Sequence, residues 1–169
     1  KYTSNVKALI IQHTFGRPAD LNQLLDFAKK HNLKVVEDCA HSLGAKYQNK
    51  LTGTFGDIGI LSFGSDKVVS CVRGGALVTN NSELAEKIRQ YQNALPLSTR
   101  TKTVQHLSHY LFFYFCKPFY NLGIGKWKLF LGKKLNIYNK IIYQEEKMGL
   151  PVTFYPAQLP NALAQILLN

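Results

Sequence analysis

Three stretches of the chain hold side chains whose types and order could do chemistry. They are VVEDCAHSLGA at 35–45, FGDIGILSFGSDKVVS at 55–70 and VRGGALVTNN at 72–81. In the first, the acidic pair Glu37-Asp38 closes an apolar run, and His41 follows three residues after Asp38. In the second, Ser62 lies near the end of an apolar run, Gly64 loosens the turn, and Lys67 follows five residues after Ser62. Gly74 and Gly75 then allow the backbone to approach a ligand closely. A carboxylate, a hydroxyl and a lysine in this order match the needs of a phosphate-bearing aldehyde. The amine can form a Schiff base with the aldehyde. The carboxylate can keep a ring nitrogen protonated, so that the ring draws in electrons. The hydroxyl and neighbouring N–H groups can hold the phosphate.

Each residue also has a plainer reading that stays open. Lys67 could be a solvated surface lysine, and Asp38 could cap the turn that follows it. His41 could be a structural hydrogen-bonding histidine, and Ser62 a strand-end hydroxyl. Asp57, between Gly56 and Ile58, reads as a turn residue. A metal site built from His13, Cys39, His41 and Cys71 fails on spacing, since no CxxC or HxxxH pair exists. No GxGxxG or GxxxxGK[ST] pattern is present, and the one GxG, Gly123–Gly125, follows no strand signal.

These side chains need a scaffold, and the flanking sequence supplies one. VKALIIQ at 6–12 is a nearly continuous apolar run, which suits a strand buried on both faces. After the turn TFGRPAD, Asp20 is placed to cap a helix carrying Leu21, Leu24, Leu25 and Ala28 at helical spacing. KVVED at 34–38 is a second strand, so strand, helix and strand form a βαβ unit with a parallel sheet. Parallel sheets bind ligands beyond the carboxyl ends of their strands, where Asp38 would sit. AKYQNKLTG at 45–53 reads as a hairpin turning around Asn49. Asp57–Phe63 and Gly75–Thr79 are further strands, and Ser82 is expected to cap a helix through about Asn93. The sequon Asn80-Asn81-Ser82 is taken as chance in a reduced chain. A last helix is expected from about Pro160.

The composition fits a folded chain: of 169 residues, 46% are hydrophobic and 18% charged, which excludes disorder. Three scattered cysteines, Cys39, Cys71 and Cys116, read as reduced thiols and not as a disulfide framework. The N-terminal residues lack the apolar run and cleavage site of a signal peptide. They also lack an initiator Met. The net charge of +11 is unevenly placed. Residues 1–100 hold 13 bases and 8 acids, whereas 101–144 hold seven lysines, no acid and 11 of the 20 aromatic residues.

The ordered segments resemble the DegT/DnrJ/EryC1/StrS family of sugar aminotransferases, enzymes of the aspartate-aminotransferase fold type that use pyridoxal phosphate (PLP). The resemblance runs from about Val6 to Asn93, through IIQHTFGRPADLNQLLDFAKKHNLKVVEDCAHSLGA, GTFGDIGILSFGSDK and GGALVTN. It implies an α/β fold: part of the large domain of a PLP fold-type I transferase, with a mainly parallel sheet flanked by helices. Asp38 would bind the pyridine nitrogen and His41 would lie near the ring hydroxyl. Ser62 would contact the phosphate, and Lys67 would carry the cofactor as a Schiff base. The implied reaction moves an amino group, usually from glutamate, to a keto sugar carried on a nucleotide, for glycan or secondary-metabolite sugars. Related PLP-dependent dehydratases carry a non-lysine residue at the position of Lys67. The implied assembly is a homodimer; the reduced thiols point to a cytoplasmic location, with a peripheral position at the inner face of the membrane left open.

The sequence departs from the family in GSDKVVS, where the family more often has a His-Pro-Thr-Lys-Asn kind of loop. The family's upstream segment and C-terminal small domain have no counterpart, so the chain is expected to be an internal piece of a larger enzyme. Its expected parts are a PLP-binding portion at 1–100, a helical, aromatic and basic insertion at 101–144, and at 145–169 the start of a segment leading to the small domain.

Residues 101–144 admit three readings: a helix pair packed on protein, a membrane-surface element through 103–138, or a nucleic-acid groove, for which no motif speaks. Its uncharged apolar run of about 10 residues is short of the ~20 that a spanning helix needs. A relative with a vestigial PLP site, serving as a membrane-surface element, is the alternative function, beside a sugar dehydratase or regulatory relative.

Overall fold

The computed structural model describes residues 5–135, Met148 and residues 157–168. They fall into two compact units, Lys1–Ser70 with Gly74–Gln92, and Cys71–Arg73 with Asn93–Asn169.

In the first unit the apolar runs become strands β1 (Ala8–Gln12), β2 (Lys34–Asp38), β5 (Ile58–Ser62) and β6 (Gly75–Val78), ordered β1-β2-β5-β6. β1, β2 and β5 run parallel, with Gln12 opposite Asp38 and Asp38 opposite Ile60. β6 is antiparallel to β5, with Ser62 opposite Gly75. The sheet is thus mainly parallel, as expected, with one reversed edge strand.

Helix α1 (Leu21–Lys30) covers one face. Its Leu21 and Ala28 pack with Ile11, Leu33 and Val35 as the core. Leu21 is completely buried, which contributes roughly 2 kcal/mol. Residues opposite one another across neighbouring strands share a face, and alternate residues along a strand do too. Ile10, Asp38, Ile60, Ser62 and Leu77 therefore lie on the face away from α1. There Ile10 is 70% exposed and Leu77 50%.

The expected hairpin is β3 (Lys46–Tyr47) paired antiparallel with β4 (Lys50–Leu51). Gln48 and Asn49 between them both have positive φ, 47° and 64°, the backbone of a tight two-residue turn.

Two caps differ from expectation. Asp20 precedes α1 but makes no capping bond; its carboxylate accepts from the Tyr47 hydroxyl at 3.3 Å. At α2 (Ser82–Ala94), Ser82 is the first helical residue and Asn81 is the cap, its Oδ1 accepting the Leu84 N–H at 3.0 Å. Asn81 stands one residue further out, where a side-chain oxygen reaches the N–H three positions on. Asp57 is structural: its Oδ2 accepts the Val35 N–H at 2.8 Å and its Oδ1 meets Lys34 Nζ at 3.1 Å. The Val35 N–H is the main reason its carboxyl lies below the ordinary carboxylate range.

The second unit is helical. Thr99 caps α3 (Arg100–Cys116), its hydroxyl accepting the Lys102 N–H. Pro118 lies in the single 3₁₀ turn Lys117–Phe119 that ends the α-helix. α4 (Ile124–Lys134) and α5 (Asn161–Leu168) both pack against α3. His109, Cys116 and Leu163 are buried in this unit. No described helix is long and apolar enough to cross a membrane. Residues 136–144 of the expected insertion, and 145–147 and 149–156 beyond it, lie outside the described residues.

Candidate functional site

The parallel strands β1, β2 and β5 deliver their carboxyl ends to one side of the sheet. Asp38 is the last residue of β2 and Ser62 the last of β5. They share the face away from α1, because Asp38 pairs with Ile60 and Ser62 is two residues further along the same strand. The Asp38 side chain is half-buried, and one oxygen accepts the Ala40 N–H at 3.0 Å. Among the described residues that is its one hydrogen bond, which leaves the second carboxylate oxygen available.

The loops after β2 and β5 meet. Lys67 Nζ lies 2.9 Å from His41 Nε2 and 2.8 Å from Asp66 Oδ2. A charged lysine amine has donors only, so His41 Nε2 accepts and the imidazole proton sits on Nδ1. The Lys67 side chain is 13% exposed, which does not fit the reading of a solvated surface lysine. Asp66 stays ionised to lower pH than an ordinary aspartate, chiefly because the Lys67 amine donates to it. Phe15, at the loop after β1, sets its ring edge-on to His41 with centroids 5.3 Å apart. The same loop fixes the His41 backbone, whose carbonyl accepts the Gly16 N–H at 2.9 Å.

Gly64 joins Ser62 to Lys67 in space. A Cβ there would lie 3.7 Å from Ser62 Oγ, 3.9 Å from Lys67 Cγ and 3.0 Å from Asp66 Oδ1. The position is close-packed, and a side chain there would press on Asp66 and touch the hydroxyl and the lysine. The Gly64 N–H also points to Ser62 Oγ, at 3.5 Å. Thus Lys67, His41 and Ser62 gather around one loop. Asp38 stands at the neighbouring strand end and makes no hydrogen bond to them.

Spacing did not reveal Asp66 and Phe15. Both act across a loop, and the only sequence signal for Asp66 was its place beside Lys67. Spacing also missed a buried support behind the site. Glu37 is fully buried; its Oε1 accepts the N–H groups of Phe55 and Gly56, each at 2.7 Å, and its Oε2 that of Gly53 at 2.8 Å. His13 Nε2 lies 3.1 Å from the same Oε2. His13 Nδ1 accepts the Ala19 N–H at 3.1 Å, so the ring proton is on Nε2 and is donated to Glu37. Cys39 completes a buried group whose ligand-type atoms lie within 4.8 Å of one another. Both Glu37 oxygens and both His13 nitrogens are already engaged by protein hydrogens. A metal ion would have to break those bonds, and burial raises the Cys39 thiol further from the thiolate a metal needs. The donor set suits a structural clamp.

Residues 1–112 match the DegT/DnrJ/EryC1/StrS aminotransferase family. The chain is 40% identical over 92 residues to the GDP-perosamine synthase of Escherichia coli O157:H7, covering 54% of this chain and 25% of that protein. It is similar in structure to an aminotransferase from Psychrobacter cryohalolentis, with a TM-score of 0.53 and 36% identity over 54% of this chain and 24% of that one. It is also similar to an E. coli GDP-4-keto-6-deoxy-D-mannose-3-dehydratase with bound hydrated PLP. There the TM-score is 0.50 and the identity 25%, over 54% of this chain and 23% of that one. The chain spans about a quarter of the length of these relatives.

Proposed function

The chain belongs to the DegT/DnrJ/EryC1/StrS aminotransferase family, and from that premise we propose that it forms part of the PLP site of an aminotransferase acting on a nucleotide-linked keto sugar. The observation that carries this is Lys67, drawn out of solvent to His41 at the strand ends that also present Asp38 and Ser62.

The residues present fit the cofactor. Asp38 offers a carboxylate oxygen for a ring N–H. Ser62 Oγ, at the carboxyl end of β5, and the Gly64 N–H beside it would meet the phosphate. Lys67 supplies the amine that an aldehyde needs, and His41 would stand by the ring hydroxyl. When bound, PLP supplies an electron-withdrawing ring that stabilises charge on the substrate carbon. The chain's own part is to hold and move protons. Asp38 would hold the ring nitrogen of the bound group in its protonated form, and Lys67 carries a proton at Nζ that His41 Nε2 can accept. Asp66 and His41 hold that amine in place.

The family premise and the name of the E. coli relative support the nucleotide-sugar substrate. Glutamate as amino donor, a homodimer and a cytoplasmic location complete the reading. Reduction of the full-length protein with borohydride in the presence of PLP should fix the cofactor on Lys67, as located by mass spectrometry. A Lys67→Ala protein that keeps both the visible absorption and the label would overturn the assignment.

A further inference from the structure

We propose that the hairpin of α3, the 3₁₀ turn and α4 is a docking surface for an anionic lipid bilayer. It goes beyond the transferase reading and is independent of that chemistry. Three observations converge on it.

The first is charge: residues 100–134 of the hairpin carry six lysines, one arginine and no acid, so the complementary partner is anionic. The second is the surface. Leu111, Tyr114, Phe115, Leu122, Trp127 and Phe130 are each more than 60% exposed. A soluble face does not keep so many large apolar groups in water without a partner. Bases and rings are interleaved on it: Lys126 Nζ sits 5.2 Å from the Tyr120 ring and Lys128 Nζ 5.7 Å from the Phe119 ring. Aromatic bodies with cationic tips are the composition of the headgroup boundary, where rings enter and lysines reach phosphate. A nucleic-acid groove uses bases and rings too, but it does not need Leu111 and Leu122 in solvent.

The third observation is a cavity of about 750 Å³ on the same hairpin, lined by Tyr110, Leu111, Tyr114, Lys117, Tyr120 and Leu129 among others. Its wall is apolar and its one cation is Lys117, an arrangement suited to the acyl chain of a phospholipid whose headgroup phosphate meets the amine. The 17 residues of α3 extend about 25 Å, less than the ~30 Å hydrocarbon core. The hairpin therefore lies on one leaflet.

Trp127 is the one tryptophan of these 169 residues and reports on the surface directly. The full-length protein should co-sediment with vesicles containing phosphatidylglycerol and stay in the supernatant with pure phosphatidylcholine. Its fluorescence should shift to the blue with the anionic vesicles alone, and the shift should vanish in Trp127→Phe. Inorganic phosphate should give no shift. Replacing Lys117, Lys126 and Lys128 together by Gln should weaken vesicle binding roughly a hundredfold, at about fivefold per lysine. Unchanged circular dichroism and thermal unfolding show that the variant is folded without any use of PLP, so failure of the surface and failure of the PLP reading are separable. Equal binding to neutral vesicles, or unchanged binding by the Gln variant, overturns the proposal. So does a Trp127 buried by self-association before any lipid is added.

Discussion

His13 and Glu37 form a hydrogen-bonded pair of 3.1 Å in which neither side chain reaches solvent. Glu37 also gathers the N–H groups of Gly53, Phe55 and Gly56, so one carboxylate ties β2 to the loop that leads into β5. The strand end that carries Asp38 is fixed from beneath by its chain neighbour.

Glu37→Ala leaves three backbone donors and the His13 N–H without an acceptor. At about 1–3 kcal/mol for each stranded group, the variant loses at least ~4 kcal/mol of stability. Denaturant unfolding measures this. A loss below ~1 kcal/mol would mean that water replaces the carboxylate.

Asp66 pairs with Lys67 from an exposed position, its side chain 53% accessible. Such pairs contribute only ~0.2–1 kcal/mol. Asp66→Ala therefore weakens PLP retention by no more than about fivefold, while Lys67→Ala abolishes the borohydride label. Equal losses in the two variants would give Asp66 a larger part in the site.

Two glycines separate site from scaffold. In Gly64→Ala the new methyl crowds Asp66 Oδ1 at 3.0 Å and touches Ser62 Oγ and Lys67 Cγ. We expect near-normal thermal unfolding with impaired PLP binding. In Gly59→Ala the methyl meets the Gly53 backbone, with Cα at 2.7 Å. That backbone cannot yield as a side chain does, so stability falls by ~1–3 kcal/mol. Absorbance titration with PLP and thermal melts distinguish the two outcomes.

His106 should make the helical unit sensitive to acid. Burial, helped by Arg73 and Lys102, lowers its pKa from 6.5 to about 4. The unfolded chain then binds the proton more readily than the folded one. Stability is full above pH 6.5 and declines as the pH falls toward 4. His106→Gln should flatten that part of the stability profile. An unchanged slope between those pH values in the variant would assign the effect elsewhere.

Much of this architecture is legible in the residues, and the exceptions have physical causes. The strands at Ala8–Gln12 and Lys34–Asp38 show as apolar runs between turn residues, and the helix between them shows by its leucine spacing. Lys67 and Ser62 were visible through their order after a strand. The reversed direction of β6 was not, because an apolar run has no polarity of its own; its direction follows from the loop between Ser62 and Gly75. The cap of α2 was misplaced by one residue because Asn80, Asn81 and Ser82 are all capping types, and only backbone geometry selects Asn81. Glu37 collects donors 16–19 residues away, a non-local closure that no short pattern encodes. The contacts of Asp66 and Phe15 with the Lys67–His41 pair depend on how two loops meet.

The sheet face that presents Asp38 also presents Ile10, Ile60 and Leu77 to solvent. Apolar side chains on a solvent-facing sheet are the first targets when a protein must be made more soluble. The usual remedy is to replace an aliphatic residue by a charged one. Here it is compromised, because Ile60 stands directly opposite Asp38 in the register and Leu77 directly opposite Ile60. A lysine at either position would improve solubility and place a counter-ion near the carboxylate, so solubility and site chemistry cannot be engineered separately on this face.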